Sequence, residues 1–220
     1  SERRGQFRNL PDAPQDLLQR VSMLYEGDPQ LSGLWTEALQ TRAMAGSMAM
    51  GNAKGAAAAG KLIASLMTGP DSARIVMAES NGWDTHAGQR GRLNDQLAGL
   101  DALLASLKEN LGAAWADTLV VVATEFGRTA AVNGTGGTDH GTASLAMLLG
   151  GTVAGGRILS DWPGLGPSQL YEGRDLKPTT SIDALLAGAL AGHFRLDPAQ
   201  VAPKLFPGGA GKPMSGLIRA

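Results

Sequence analysis

The stretch that most restricts the fold runs through residues 118–150. An apolar run at residues 119–123 stops at Thr124-Glu125 and gives way to a polar, glycine-rich loop that contains Arg128. The loop reaches Asp139-His140, and a second apolar run starts at Leu145. This reads as strand, polar loop, strand. In open α/β sheets the loops beyond strand ends converge on a ligand crevice, so Glu125, Arg128, Asp139 and His140 are expected at one site.

A second stretch points to the same place. Residues 74–79 (RIVMAE) form another short apolar run, followed by a polar loop with Asp84 and His86. The chain has three histidines. Two of them, His86 and His140, follow apolar runs, and each has an Asp one or two residues before it. Between the runs, Leu93, Leu97, Leu100, Leu104, Leu107 and Leu111 recur at helical steps, which predicts an amphipathic helix over residues 92–111. Strand, helix, strand is a βαβ unit, whose two strands lie parallel. The expected fold class is therefore α/β, a mostly parallel sheet flanked by helices.

Apolar spacing predicts further helices at residues 12–25, 34–50, 55–67 and 181–194. The expected organisation is a helical part at residues 1–70, an α/β core with the site loops at 71–206, and an irregular tail at 207–220. Residues 55–61 have the glycine spacing of a phosphate-cradling loop, but Leu62 stands where a Ser or Thr would hold magnesium and no strand precedes. The segment reads instead as an Ala-rich helix packed closely against the sheet. His193, near the end of the last helix, is read as a dipole partner or packed side chain.

A formal net charge of -1 provides no electrostatic footprint for nucleic acid or an anionic membrane. No apolar run approaches the roughly 18 residues of a membrane-spanning helix, so no membrane span is expected. Without cysteine there are no disulfides, thiolate metal sites or Cys nucleophiles. A metal would have to be held by oxygen and imidazole.

Asp84 and His86 are two apart and point the same way on an extended backbone. With His140 and either Asp139 or Glu125 they form an imidazole and carboxylate set suited to a divalent metal, Zn or Mn ahead of Fe. Arg128 offers a planar donor fork for phosphate, sulfate or carboxylate oxygens. Metal plus arginine points to chemistry on a small-molecule oxyanion ester. Each residue also has a plainer reading: Asp139 as a turn cap, His140 as a packed side chain, Glu125 and Arg128 as an ion pair.

Asn81-Gly82-Trp83-Asp84-Thr85-His86 with Gln89, then Thr124-Glu125-Phe126-Gly127-Arg128-Thr129, Asn133-Gly134, Gly137-Thr138-Asp139-His140-Gly141 and Gly150-Gly151, closely resemble the family known as domain of unknown function 1501. That family looks like a bacterial branch of the alkaline phosphatase superfamily, usually exported by a twin-arginine signal. The resemblance implies an alkaline-phosphatase-like fold and a periplasmic or secreted location. It also implies a metal-dependent, phosphatase- or sulfatase-like hydrolase, with Asp84, His86 and His140 as ligands of one metal. Glu125 stands where the superfamily has an Asp of a second metal, Phe126 replaces a second-metal His, and Asp139 is a further ligand candidate. The superfamily's first strand, with its nucleophile, has no counterpart here, and no Ser or Thr matches the nucleophile motif. The chain is thus expected to be the later portion of a longer protein, completed by an upstream segment or by self-association. Arg3-Arg4 lacks the apolar stretch of an export signal.

Two other classes stay open. One is a non-catalytic, metal-stabilised binding domain, and the other a mononuclear iron oxygenase using Asp84, His86 and His140. A serine hydrolase is disfavoured because there is no Gly-x-Ser-x-Gly elbow.

Overall fold

The computed structural model describes residues 15–25, 27–29, 31–32, 53–69 and 72–219. The chain divides into two compact units, Ser1–Met48 and Ala49–Ala220. In the first unit, helix α1 (Gln15–Tyr25) ends where Gly27 and Pro29 interrupt the pattern. The Asp28 carboxylate then accepts the Leu31 amide at 3.1 Å, three residues on, as an N-cap does. The helix expected at residues 34–50 lies outside the described residues.

The second unit begins with α2 (Ala53–Met67), whose small residues determine its partner. A Cβ at Gly60 would stand 2.3 Å from the Leu103 carbonyl oxygen, so the backbone of α2 rests directly on α3 (Gln89–Leu111). The Ser106 hydroxyl donates to Ala57 O at 2.7 Å across the same contact. The Ala-rich segment therefore packs against a helix, not against the expected sheet. Ile63, Ala64, Leu107 and Leu111 form a buried cluster between the helices, joined by Met67, Val76, Trp115 and Val120. Gly112, with φ 53°, ends α3 by closing its N–H on Lys108 O.

The mostly parallel sheet is not there among the described residues. The described strands form two small antiparallel pairs: β1 (Val120–Val122) with β4 (Met147–Leu149), and β2 (Gly127–Arg128) with β3 (His140–Gly141). The register sets Val120 opposite Leu149 and Val122 opposite Met147. Residues 74–79 form no strand and pair with none of the described residues: Ile75 and Met77 are 77% and 89% exposed, and only Val76 packs against the core cluster. The intended first strand of the βαβ unit thus never joins β1. β1 finds its partner on the far side of the loop that leaves it and returns, and a chain that returns to the same end pairs antiparallel without a crossover. An alkaline-phosphatase-like sheet is accordingly excluded as a description of this unit.

Towards the C-terminus, Ser181 caps α4 (Ile182–Phe194), accepting the Ala184 amide at 3.3 Å. Asp197 caps α5 (Pro198–Leu205) in the same way. The tail folds back on α4 and the β4 turn: Met214 N donates to Ala184 O, and Arg219 N to Thr152 O. No helix among the described residues is long and apolar enough to cross a membrane.

Candidate metal centre

Three segments meet where the loop before α3 crosses the β2–β3 hairpin. Ala87 bridges Gly136, Gly88 N and Gln89 N donate to Thr135 O and Gly136 O, and Thr138 N donates to Thr85 O. Contact is closest at Gly137, where a Cβ would lie 2.2 Å from the His86 carbonyl. Asn133 ties the pieces together. Its amide nitrogen donates to His86 O and to Asp139 Oδ1, both at 3.0 Å, while its Oδ1 accepts the Thr135 and Gly137 amides. On the outer edge of β2, Thr129 bridges Asp175, and Leu176 N donates to Arg128 O.

This frame delivers Asp84, His86 and His140 to one point. Their ligand atoms lie within 4.8 Å of one another, and they are the described residues grouped so as to hold a metal ion. Asp84 Oδ1 faces His140 Nε2 at 2.8 Å and His86 Nε2 at 3.0 Å. Two imidazoles and a carboxylate around one point form a donor set suited to Zn, Mn or Fe. Ligand atoms at about 2.1 Å from a tetrahedral ion are about 3.4 Å apart, so both Asp84–histidine pairs would open by about half an ångström around one. The side chains are about half exposed, at 54% for Asp84, 45% for His86 and 53% for His140.

The surrounding residues orient this set. His86 Nδ1 lies 3.0 Å from Asp139 Oδ1; a proton on Nδ1 directed at Asp139 leaves Nε2 free to bind a cation beside Asp84. Phe126 stacks on the His140 ring, 4.4 Å between centroids and 19° between planes. The Arg128 guanidinium lies 4.8 Å from the Phe126 ring centre. Its Nη1 donates to Thr138 O at 2.8 Å, and its Nη2 to Trp83 O at 2.5 Å and Asp84 Oδ1 at 3.3 Å.

The electrostatics favour ionised carboxylates. Partial burial works against the Asp84 charge, but the His140 hydrogen bond and the charges of His86, His140 and Arg128 outweigh it and hold its pKa below the ordinary value. Asp139 is also lowered, chiefly by the His86 hydrogen bond and then by Asn133. Asp175, buried behind the hairpin, is lowered by Arg174 and by the Thr142 hydroxyl at 2.8 Å.

A family model described as a protein of unknown function (DUF1501) matches residues 9–206. The chain belongs to the DUF1501 family. No curated protein and no solved structure matches it.

In this DUF1501 chain the expected site residues take different positions. Asp84, His86 and His140 come together. Asp139 contacts the cluster through His86 Nδ1, on the side of the ring away from Asp84. Glu125 is exposed, and neither the cluster nor Arg128 forms a hydrogen bond or ion pair with it. Sequence reasoning passed over Arg174 and Asp175, which sit in a glycine- and proline-rich region without periodicity, and Thr142, which follows the Asp139-His140-Gly141 motif. Asn133 stood out only as part of a motif, and its bridging role depends on contacts distant in sequence.

Proposed function

We propose that this chain binds one divalent transition metal through Asp84, His86 and His140 and acts in the hydrolysis of phosphate or sulfate esters. The observation that carries the reading is an open three-ligand set. Structural zinc sites are closed by four protein ligands, whereas catalytic sites keep a position for water or substrate. The half-exposed triad, with no hydrogen bond or ion pair to the exposed Glu125, has the second character. When bound, the metal would supply Lewis acidity and lower the pKa of a coordinated water. The protein's part is to keep Asp84 ionised and to set the His86 tautomer through Asp139. Hydrolysis would add water across the ester, breaking the bond between phosphorus or sulfur and the leaving oxygen, which departs as an alcohol. A distant relationship to the alkaline phosphatase superfamily and a periplasmic or secreted location belong to the same proposal; the donor set supports the relationship, and the sheet does not.

The test is turnover of an aryl phosphate and an aryl sulfate by the full chain loaded with Zn or Mn. Metal-dependent release of the aryl alcohol, lost in His140→Ala, supports the reading. Absence of turnover, with the metal bound, would favour a non-catalytic metal domain, and oxygen-dependent turnover with iron would favour an oxygenase.

A further inference from the structure

Two arginines border the triad, and they differ in what their donors already do. Arg128 is only 17% exposed, with Phe126 beside its guanidinium. Its terminal nitrogens bind Trp83 O, Thr138 O and Asp84, one acceptor from each side of the site. That is the geometry of a tie between loops. Arg174 is 64% exposed and anchored along one edge only. Its Nε and Nη2 lie 2.7 and 3.3 Å from the two oxygens of Asp175, a carboxylate 8% exposed that also accepts the Thr142 hydroxyl. Nη2 reaches to 3.4 Å from the backbone oxygen of His140, one of the triad residues, and the Arg174 charge acts on Asp139. Nη1 makes no hydrogen bond among the described residues.

Resting on the metal-site reading above, we propose that Arg174, held in place by Asp175, is the residue that receives the non-reacting oxygens of an anionic ester at the triad. A guanidinium held by Asp175 has little freedom left to lose on binding, and the Nη1 donors that no described residue takes can reach the oxygens of a phosphate or sulfate group. Charge points the same way. Asp84, Asp139, Asp175 and Glu172 outnumber Arg128 and Arg174, and a divalent cation brings these groups to neutral. Loss of Arg174 would leave them negative, so this side chain keeps the loaded site from repelling an anion.

The experiment is calorimetric titration of inorganic phosphate into the metal-loaded full chain, with bound metal measured on the same samples. Arg174→Gln should bind phosphate at least about tenfold more weakly, the effect of losing roughly 1.4 kcal/mol, with metal content unchanged. Arg174→Lys should recover part of the affinity, because it restores charge without the fork. Phosphate affinity in Arg174→Gln equal to wild type, with metal bound in both, overturns the assignment and leaves the metal site standing. A wild type that holds metal but takes no phosphate also overturns it. Phosphate binding that depends on Arg174 in a protein without ester turnover supports the assignment and counts against hydrolysis.

Discussion

Asp84 Oδ1 stands 3.0 Å from His86 Nε2 and 2.8 Å from His140 Nε2, so a histidine from the loop before α3 and one from β3 share one carboxylate oxygen. His86 is held from its other side by Asp139 at 3.0 Å. Asp84 and Asp139 therefore have different duties, the first facing the point where a cation would bind and the second setting the ring that faces it.

The first prediction separates those duties. Asp139→Ala should lower metal affinity by about 10- to 100-fold while keeping one metal per chain at saturation. Asp84→Ala should abolish saturable binding. Competition with a chromophoric chelator reads both, and equal affinity losses in the two variants would contradict the division.

Close backbone approach supplies the second. A Cβ at Gly137 would lie 2.2 Å from His86 C and O, whereas Gly134 has nothing within 4 Å. Gly137→Ala should cost about 1–3 kcal/mol, as overpacking does, and should loosen the His86 loop; Gly134→Ala should be nearly neutral. Chemical denaturation of the two variants checks this, and similar midpoints would contradict it.

The third concerns His193, which lies 3.2 Å from the Thr152 hydroxyl through Nδ1 and meets Phe194 edge to face. Burial lowers its pKa from 6.5, against an opposing influence from Asp117. The folded state then releases a proton that the unfolded chain still binds, so the contribution to stability is full above about pH 6.5 and declines as pH falls through the folded value. Thermal melts from about pH 7.5 down to 5 should show this acid-side loss. His193→Gln should show a shallower dependence, and identical pH slopes in the two proteins would contradict the assignment.

The helices were largely legible. Leucine spacing marks α3, whose expected end at Leu111 is the observed one, whereas α5, eight residues long with Pro203 inside, was not read. The Asp84, His86 and His140 neighbourhood was legible as well, because an Asp-x-His and an Asp-His after apolar runs are local patterns. Strand partnership was not. A short apolar run has the same appearance whether it enters a sheet, as Val120–Val122 does, or forms no strand among the described residues, as at residues 74–79. Which of these happens depends on contacts across the fold, such as β4 reaching β1, that no period of side chains records. The arginines show the same limit: Arg128 was visible by its proximity to Glu125 in sequence, while Arg174 reaches His140 O only through the bridge between Thr129 and Asp175.

The central claim is that the triad binds a metal, and the most direct measurement is the metal content of the purified full chain after exposure to Zn or Mn and removal of loosely held ion. Mass spectrometry of the native protein or elemental analysis can read it. Wild type should retain about one ion per chain, and the His86→Ala, His140→Ala double variant should retain none while keeping its helical circular dichroism. Equal metal content in the two folded proteins would contradict the claim.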